Sequence, residues 1–112
     1  MAIIGFNTRS IGEEKTAREA VDFAVEHGIG GVELDGRGLW PDILSPDDIR
    51  YMKVQRARHG LQYSIHFAQA TAPASHDAGR RARHLRELED TMELAHDIGA
   101  RPIVVHPGPI DC

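Results

Sequence analysis

The chain has 112 residues, 41% of them hydrophobic and 27% charged, with a net charge of −4 at pH 7. This is the composition and length of one soluble globular domain, and it excludes disordered, collagenous and disulfide-stapled chains. No apolar run is long enough to span a bilayer, and the acidic balance disfavours nucleic acid as a partner.

Ala2–Phe6, AIIGF, is a short apolar run bounded by Asn7 and Thr8 and predicts a first strand. Thr16–His27 carries Ala17, Ala20, Val21, Ala24 and Val25 at helical spacing, and Gly28 suits the position just past a helix end. Gly31–Leu34, GVEL, predicts a second strand. Ser45-Pro46-Asp47-Asp48 is a helix start, with a capping side chain, proline in the first turn and acids against the dipole. That helix runs to about His59 and stops at Gly60. Leu61–His66 alternates and predicts a third strand. A third helix begins between Ser75 and Gly79 and reaches Ile98, with Leu85, Leu88, Met92 and Ala95 as its expected buried stripe. Gly99 closes it, and Pro102–His106, PIVVH, predicts a fourth strand. His59, His76, His84 and His96 lie away from strand ends and are expected at the surface. The arginines Arg80, Arg81, Arg83 and Arg86 precede Glu87, Glu89, Asp90 and Glu93, a pattern expected of a solvated face with local ion pairs. The single cysteine, Cys112, allows no internal bridge. The amino terminus lacks the pattern of a secretory signal, so a reducing, cytoplasmic location is expected.

Three times a helix ends in glycine and a strand follows: EHGIGGVEL, RHGLQYSIH and DIGARPIVVH. Strands alternating with helices imply a parallel sheet, because each helix returns the chain to the same edge. The expected fold is α/β, a single domain over residues 1–112 with four parallel strands and three helices. A complete (β/α)8 barrel takes about 250 residues, so the expected architecture is half of one.

Sites in parallel α/β folds lie at the carboxyl ends of the strands. Here those ends are polar. Asn7 follows the first strand, Glu33 and Asp35 flank Leu34 in the second, and His66 and His106 end the third and fourth. Adjacent parallel strands lie roughly 4.8 Å apart, so two such imidazoles can share a ligand. Histidine with carboxylate suits zinc or manganese. Pro107 after His106 blocks continuation of a central strand, and Gly108 permits a tight turn. Arg37, between two glycines, suits either a phosphate contact or a plain turn. Trp40 suits either a sugar face or the edge of the core. No G-x-G-x-x-G follows the first strand, so a dinucleotide site has no support.

With GIGGVEL (Gly28–Leu34), SIHFA (Ser64–Ala68) and IVVHPG (Ile103–Gly108) in this order, the chain resembles the N-terminal half of the xylose isomerase-like TIM barrels. That group includes sugar-phosphate isomerases and epimerases and the endonuclease IV enzymes. The resemblance matches His66 to the histidine closing the family's third strand, His106 to its H-P-G histidine, and Glu33 to a pocket acid. In the endonuclease branch both histidines are metal ligands. The family's principal metal ligands come mostly from strands five to eight, so the resemblance implies zinc or manganese held weakly by His66 and His106. It implies a divalent-metal-dependent isomerase or epimerase acting on a sugar or sugar phosphate. Glu33, His66 and His106 are the expected catalytic residues, and Asn7, Arg37 and Trp40 the expected substrate contacts. The alternatives are an endonuclease IV-like phosphodiesterase and a non-enzymatic half-barrel that self-associates. A homodimer is expected, because the uncovered sheet face should carry large apolar residues and two copies could close one eight-stranded barrel.

Overall fold

The computed structural model describes residues 3–12, 15–35, 44–67 and 75–105. Four strands, β1 (Gly5–Asn7), β2 (Gly31–Asp35), β3 (Gln62–His66) and β4 (Ile103–Val104), form one sheet in chain order. Every neighbouring pair is parallel. The helices α1 (Ala17–His27), α2 (Pro46–His59) and α3 (Ala78–Ile98) connect them. None of the described helices is long and apolar enough to cross a membrane.

The helix signals act as the sequence predicts. Thr16 caps α1 by accepting from the Glu19 N–H at 3.1 Å, and Glu19 accepts in return from the Thr16 N–H at 3.3 Å. Ser45 and Asp48 make the same reciprocal pair at the start of α2, at 3.1 Å each way. Such boxes satisfy two otherwise orphaned backbone donors. Gly28, Gly60 and Gly99 follow the three helices, and Gly28 takes the left-handed φ of 66° that a Cβ would disfavour.

Helices cover one face of the sheet. Ala17, Ala20, Val21 and Ala24 of α1 are buried and pack with Val32, Leu34, Tyr63 and Ile65 from the central strands. Met52 of α2 and Ile98 of α3 complete this core. Burial raises the proton affinity of the Tyr63 hydroxyl well above its ordinary value, and that hydroxyl donates to the Met52 carbonyl at 2.8 Å.

The other face differs from expectation. The register aligns Gly5, Gly31 and Gln62 in one row, Asn7, Glu33 and Ser64 in the next, and Asp35, His66 and Val104 in a third. Side chains alternate along a strand, so these rows share the uncovered face. Apart from Val104, these residues are glycines or polar, not the large apolar surface from which association is expected. The strand pattern explains the reversal: Val32, Leu34, Tyr63 and Ile65 all fall on the helix side.

Four further expectations are corrected. The first strand lies at Gly5–Asn7, toward the C-terminal end of the expected run, with Ile3 and Ile4 48% and 81% exposed. The close approach of β1 to β2 requires glycine at position 5, because a Cβ there would sit 2.7 Å from the Gly31 carbonyl oxygen. The fourth strand is shorter than expected, Ile103–Val104. On α3 the buried face runs through His84, Thr91, Leu94, Ala95 and Ile98, leaving Leu85 and Met92 57% and 55% exposed. The helical period holds, but the stripe is turned by about one residue, roughly 100°. His84 is accordingly buried at 2% exposure, edge-on to Phe67 with ring centroids 5.2 Å apart, and is no surface residue.

Candidate functional site at the strand ends

Asn7 begins the site. It ends β1 and caps the short 3-10 turn Thr8–Ile11, its Oδ1 accepting from the Arg9 N–H at 2.8 Å. Because the oxygen is committed there, the amide nitrogen must point the other way. It donates to Glu33 Oε1 at 2.6 Å and to Asp35 Oδ2 at 2.9 Å. Glu33 and Asp35 are two residues apart on β2, so the pleat sends both carboxylates to the same face.

Thr8 is buried, and its hydroxyl fixes the end of β2. It accepts from the Asp35 N–H and donates to the Asp35 carbonyl, both at 3.0 Å. This pair of hydrogen bonds to the main chain extends the β1–β2 pairing by one side chain.

His66 ends β3, opposite Asp35 in the register. Its Nδ1 lies 3.8 Å from Glu33 Oε1, and the two side chains are 29% and 32% exposed. One donor atom from each of Glu33, Asp35 and His66 lies within 4.8 Å of the others. Two carboxylates and an imidazole converge on a half-exposed spot with a neutral amide between the carboxylates. Oxygen donors with imidazole nitrogen suit manganese or zinc, so the residues present fit a divalent cation. Beside this cluster the uncovered face opens into a cleft of about 390 Å³, lined among others by Gly5, Gly31, Gln62, Ser64 and Arg101.

Of the expected site residues, Asn7, Glu33 and His66 come together here. Arg37, Trp40 and His106 lie outside the described residues, so the pairing of His66 with His106 does too. Asp35 and Thr8 join the site without being among its expected residues. The E-x-D spacing at the end of a strand is the signal that pairs Asp35 with Glu33. Nothing in the sequence marks Thr8, because its role depends on the β1–β2 register.

The chain shares its architecture with known proteins. A sequence model described as the xylose isomerase-like TIM barrel matches residues 21–110. The chain belongs to that family. The crystal structure of a D-tagatose 3-epimerase-like protein superposes with a TM-score of 0.77 at 23% identity, covering 96% of this chain and 38% of that one. Endonuclease IV from Thermus thermophilus gives 0.73 at 24% identity, covering 98% of this chain and 42% of that one. At these identities the likeness is one of fold. The chain spans about two-fifths of the length of these two structures. Comparison with curated protein sequences finds no match. In a xylose isomerase-like barrel the carboxyl ends of the strands form the mouth in which sites are built. Asn7, Glu33, Asp35 and His66 stand at those ends.

Proposed function

We propose that this chain contributes to a divalent-cation-assisted isomerase or epimerase site for a sugar or sugar phosphate. The observation that carries the reading is the convergence of Glu33, Asp35 and His66 within 4.8 Å at the strand ends. Manganese or zinc would be held by these three side chains, with His106 a further candidate, and when bound would polarise a carbonyl or hydroxyl oxygen of the sugar. Glu33, which lines the cleft, would act in catalysis through the ion it helps to hold, and the proton would be moved between neighbouring sugar carbons by a base other than these three ligands. Asn7 and Thr8 hold the carboxylates in place. Arg37 and Trp40 are proposed sugar or phosphate contacts, whereas both amide hydrogens of Asn7 are taken by Glu33 and Asp35. The likeness to a D-tagatose 3-epimerase-like protein fits this reading. The phosphodiesterase reading suggested by endonuclease IV is less favoured, because the described site is lined by carboxylates and would repel a polyanionic backbone. Both readings agree with a soluble chain acting in the cytoplasm.

Manganese-induced broadening of sugar resonances tests the proposal. With the full chain and manganese, the protons next to the carbonyl of a ketose or ketose phosphate should broaden selectively. That selectivity should vanish in Glu33→Gln combined with Asp35→Asn. Equal broadening in both proteins contradicts the reading. Broadening of duplex DNA resonances, with none of sugar resonances, would favour the phosphodiesterase instead.

A further inference from the structure

The outer layer carries two partly exposed apolar patches that the site does not use. On α2, Asp48 and Tyr51 face α1: Arg18 lies 3.2 Å from Asp48 and stacks over the Tyr51 ring at 4.4 Å. On a face of the helix centred roughly 130° from Tyr51, Ile49, Val54 and Ala57 line a groove of about 470 Å³, with Arg50 and Lys53 among them. Val54 is 42% exposed. On α3, Leu85 and Met92 stand seven residues apart, almost in line along the helix. They are more than half exposed, and Glu89 and Glu93 border them in solvent.

The two patches are complementary in chemistry. Each offers apolar side chains over about two turns. Cations, Arg50 and Lys53, are interleaved with them on α2, and anions, Glu89 and Glu93, lie beside them on α3. Among the described residues Lys53, Glu89 and Glu93 make no ion pair. Arg50 reaches only Asp47, at 3.0 Å with both side chains more than 70% exposed, and such surface pairs exchange at little cost. Glu89 and Glu93 are also one turn apart on the same face, so they repel each other unless a cation lies against them.

We propose that the α2 groove receives α3 of a second copy of the chain, in a two-fold arrangement. Two-fold symmetry makes the contact twice: α2 of each protomer packs against α3 of its partner. Leu85 and Met92 enter the groove over Ile49, Val54 and Ala57, while Glu89 and Glu93 meet Arg50 and Lys53. This pairing uses the helical layer and leaves the polar sheet face free, unlike closure of a barrel through the strand edges.

Charge reversal in trans tests it. Arg50→Glu with Lys53→Glu makes both patches of one variant acidic. Glu89→Lys with Glu93→Lys makes both patches of the other basic. Light scattering coupled to gel filtration at micromolar concentration should give a dimer for the unaltered chain. Each variant alone should lose it, with a dissociation constant raised at least about tenfold. Mixing the two variants should restore a dimer, because both contacts then pair opposite signs. All four substitutions lie at exposed positions, and restoration on mixing shows that the variants are folded. A monomeric unaltered chain, growth beyond a dimer, dimers that survive in both variants, or no restoration on mixing each overturn the proposal.

Discussion

The Thr8 hydroxyl spans both main-chain groups of Asp35, accepting from its N–H and donating to its carbonyl at 3.0 Å each. A single buried side chain on one strand's exit thereby sets where the next strand's last carboxylate stands. Thr8→Val keeps the shape and removes both bonds. It should lower stability by about 1–2 kcal/mol in urea unfolding, and cation affinity should fall with it. Unchanged cation affinity in a folded Thr8→Val chain would contradict the positioning role.

Asn7 is the donor shared by Glu33 and Asp35, at 2.6 and 2.9 Å. Asn7→Ala leaves two like charges side by side with no hydrogen between them. A loss of about 1–2 kcal/mol is expected at neutral pH. Manganese should raise the melting temperature of this variant more than that of the unaltered chain, because an ion between the carboxylates takes over the role of the lost donor. Equal shifts would contradict the assignment.

Gly5 and Gly31 lie against each other where β1 meets β2. Gly5→Ala would drive a methyl to 2.7 Å from the Gly31 carbonyl oxygen, and that oxygen belongs to backbone that cannot swing aside. The expected loss is about 2 kcal/mol or more. At Gly28 a Cβ meets nothing within 4 Å but the φ is +66°, so Gly28→Ala should cost only about 1 kcal/mol. Denaturation of the two variants side by side checks the order.

The backbone N–H of Ser45 holds the Asp48 carboxyl below the usual carboxylate range, helped by the Ser45 hydroxyl and by Arg18. A folded-state pKa below the unfolded one gives stability that is present above the ordinary carboxylate pKa and lost as pH falls through the folded value. Asp48→Ala should therefore lower stability at neutral pH, by less than about 1 kcal/mol for an ion pair that water still screens. The difference from the unaltered chain should shrink to nothing in acid. A difference that does not vary with pH would show that the pair is electrostatically inert.

Much of this fold is readable in advance because the signals are local. Thr16 with Glu19 and Ser45 with Asp48 are capping boxes, Gly28, Gly60 and Gly99 stop helices, and strands between them must be parallel. What fails is what depends on neighbours far along the chain. Leu85 and Met92 look like core residues by period, yet the face that docks contains His84, Thr91 and Ile98, because the sheet beneath selects the rotation. The apolar sheet face lies on the side opposite to expectation for the same reason: alternation gives the period of Val32 and Leu34 but not which side the helices cover. At the site, Asn7, Glu33, Asp35 and His66 are readable as polar strand ends. Their meeting at one point, and the part Thr8 plays, need the register between β1, β2 and β3.

Whether Glu33, Asp35 and His66 act together as one cation site is decided by calorimetric titration of manganese and zinc into the chain. One ion per chain should bind. Glu33→Gln, Asp35→Asn and His66→Ala should each weaken it by at least about tenfold, and the three together should abolish it. Binding that persists unchanged in the triple variant, or no binding to the unaltered chain, would contradict the site.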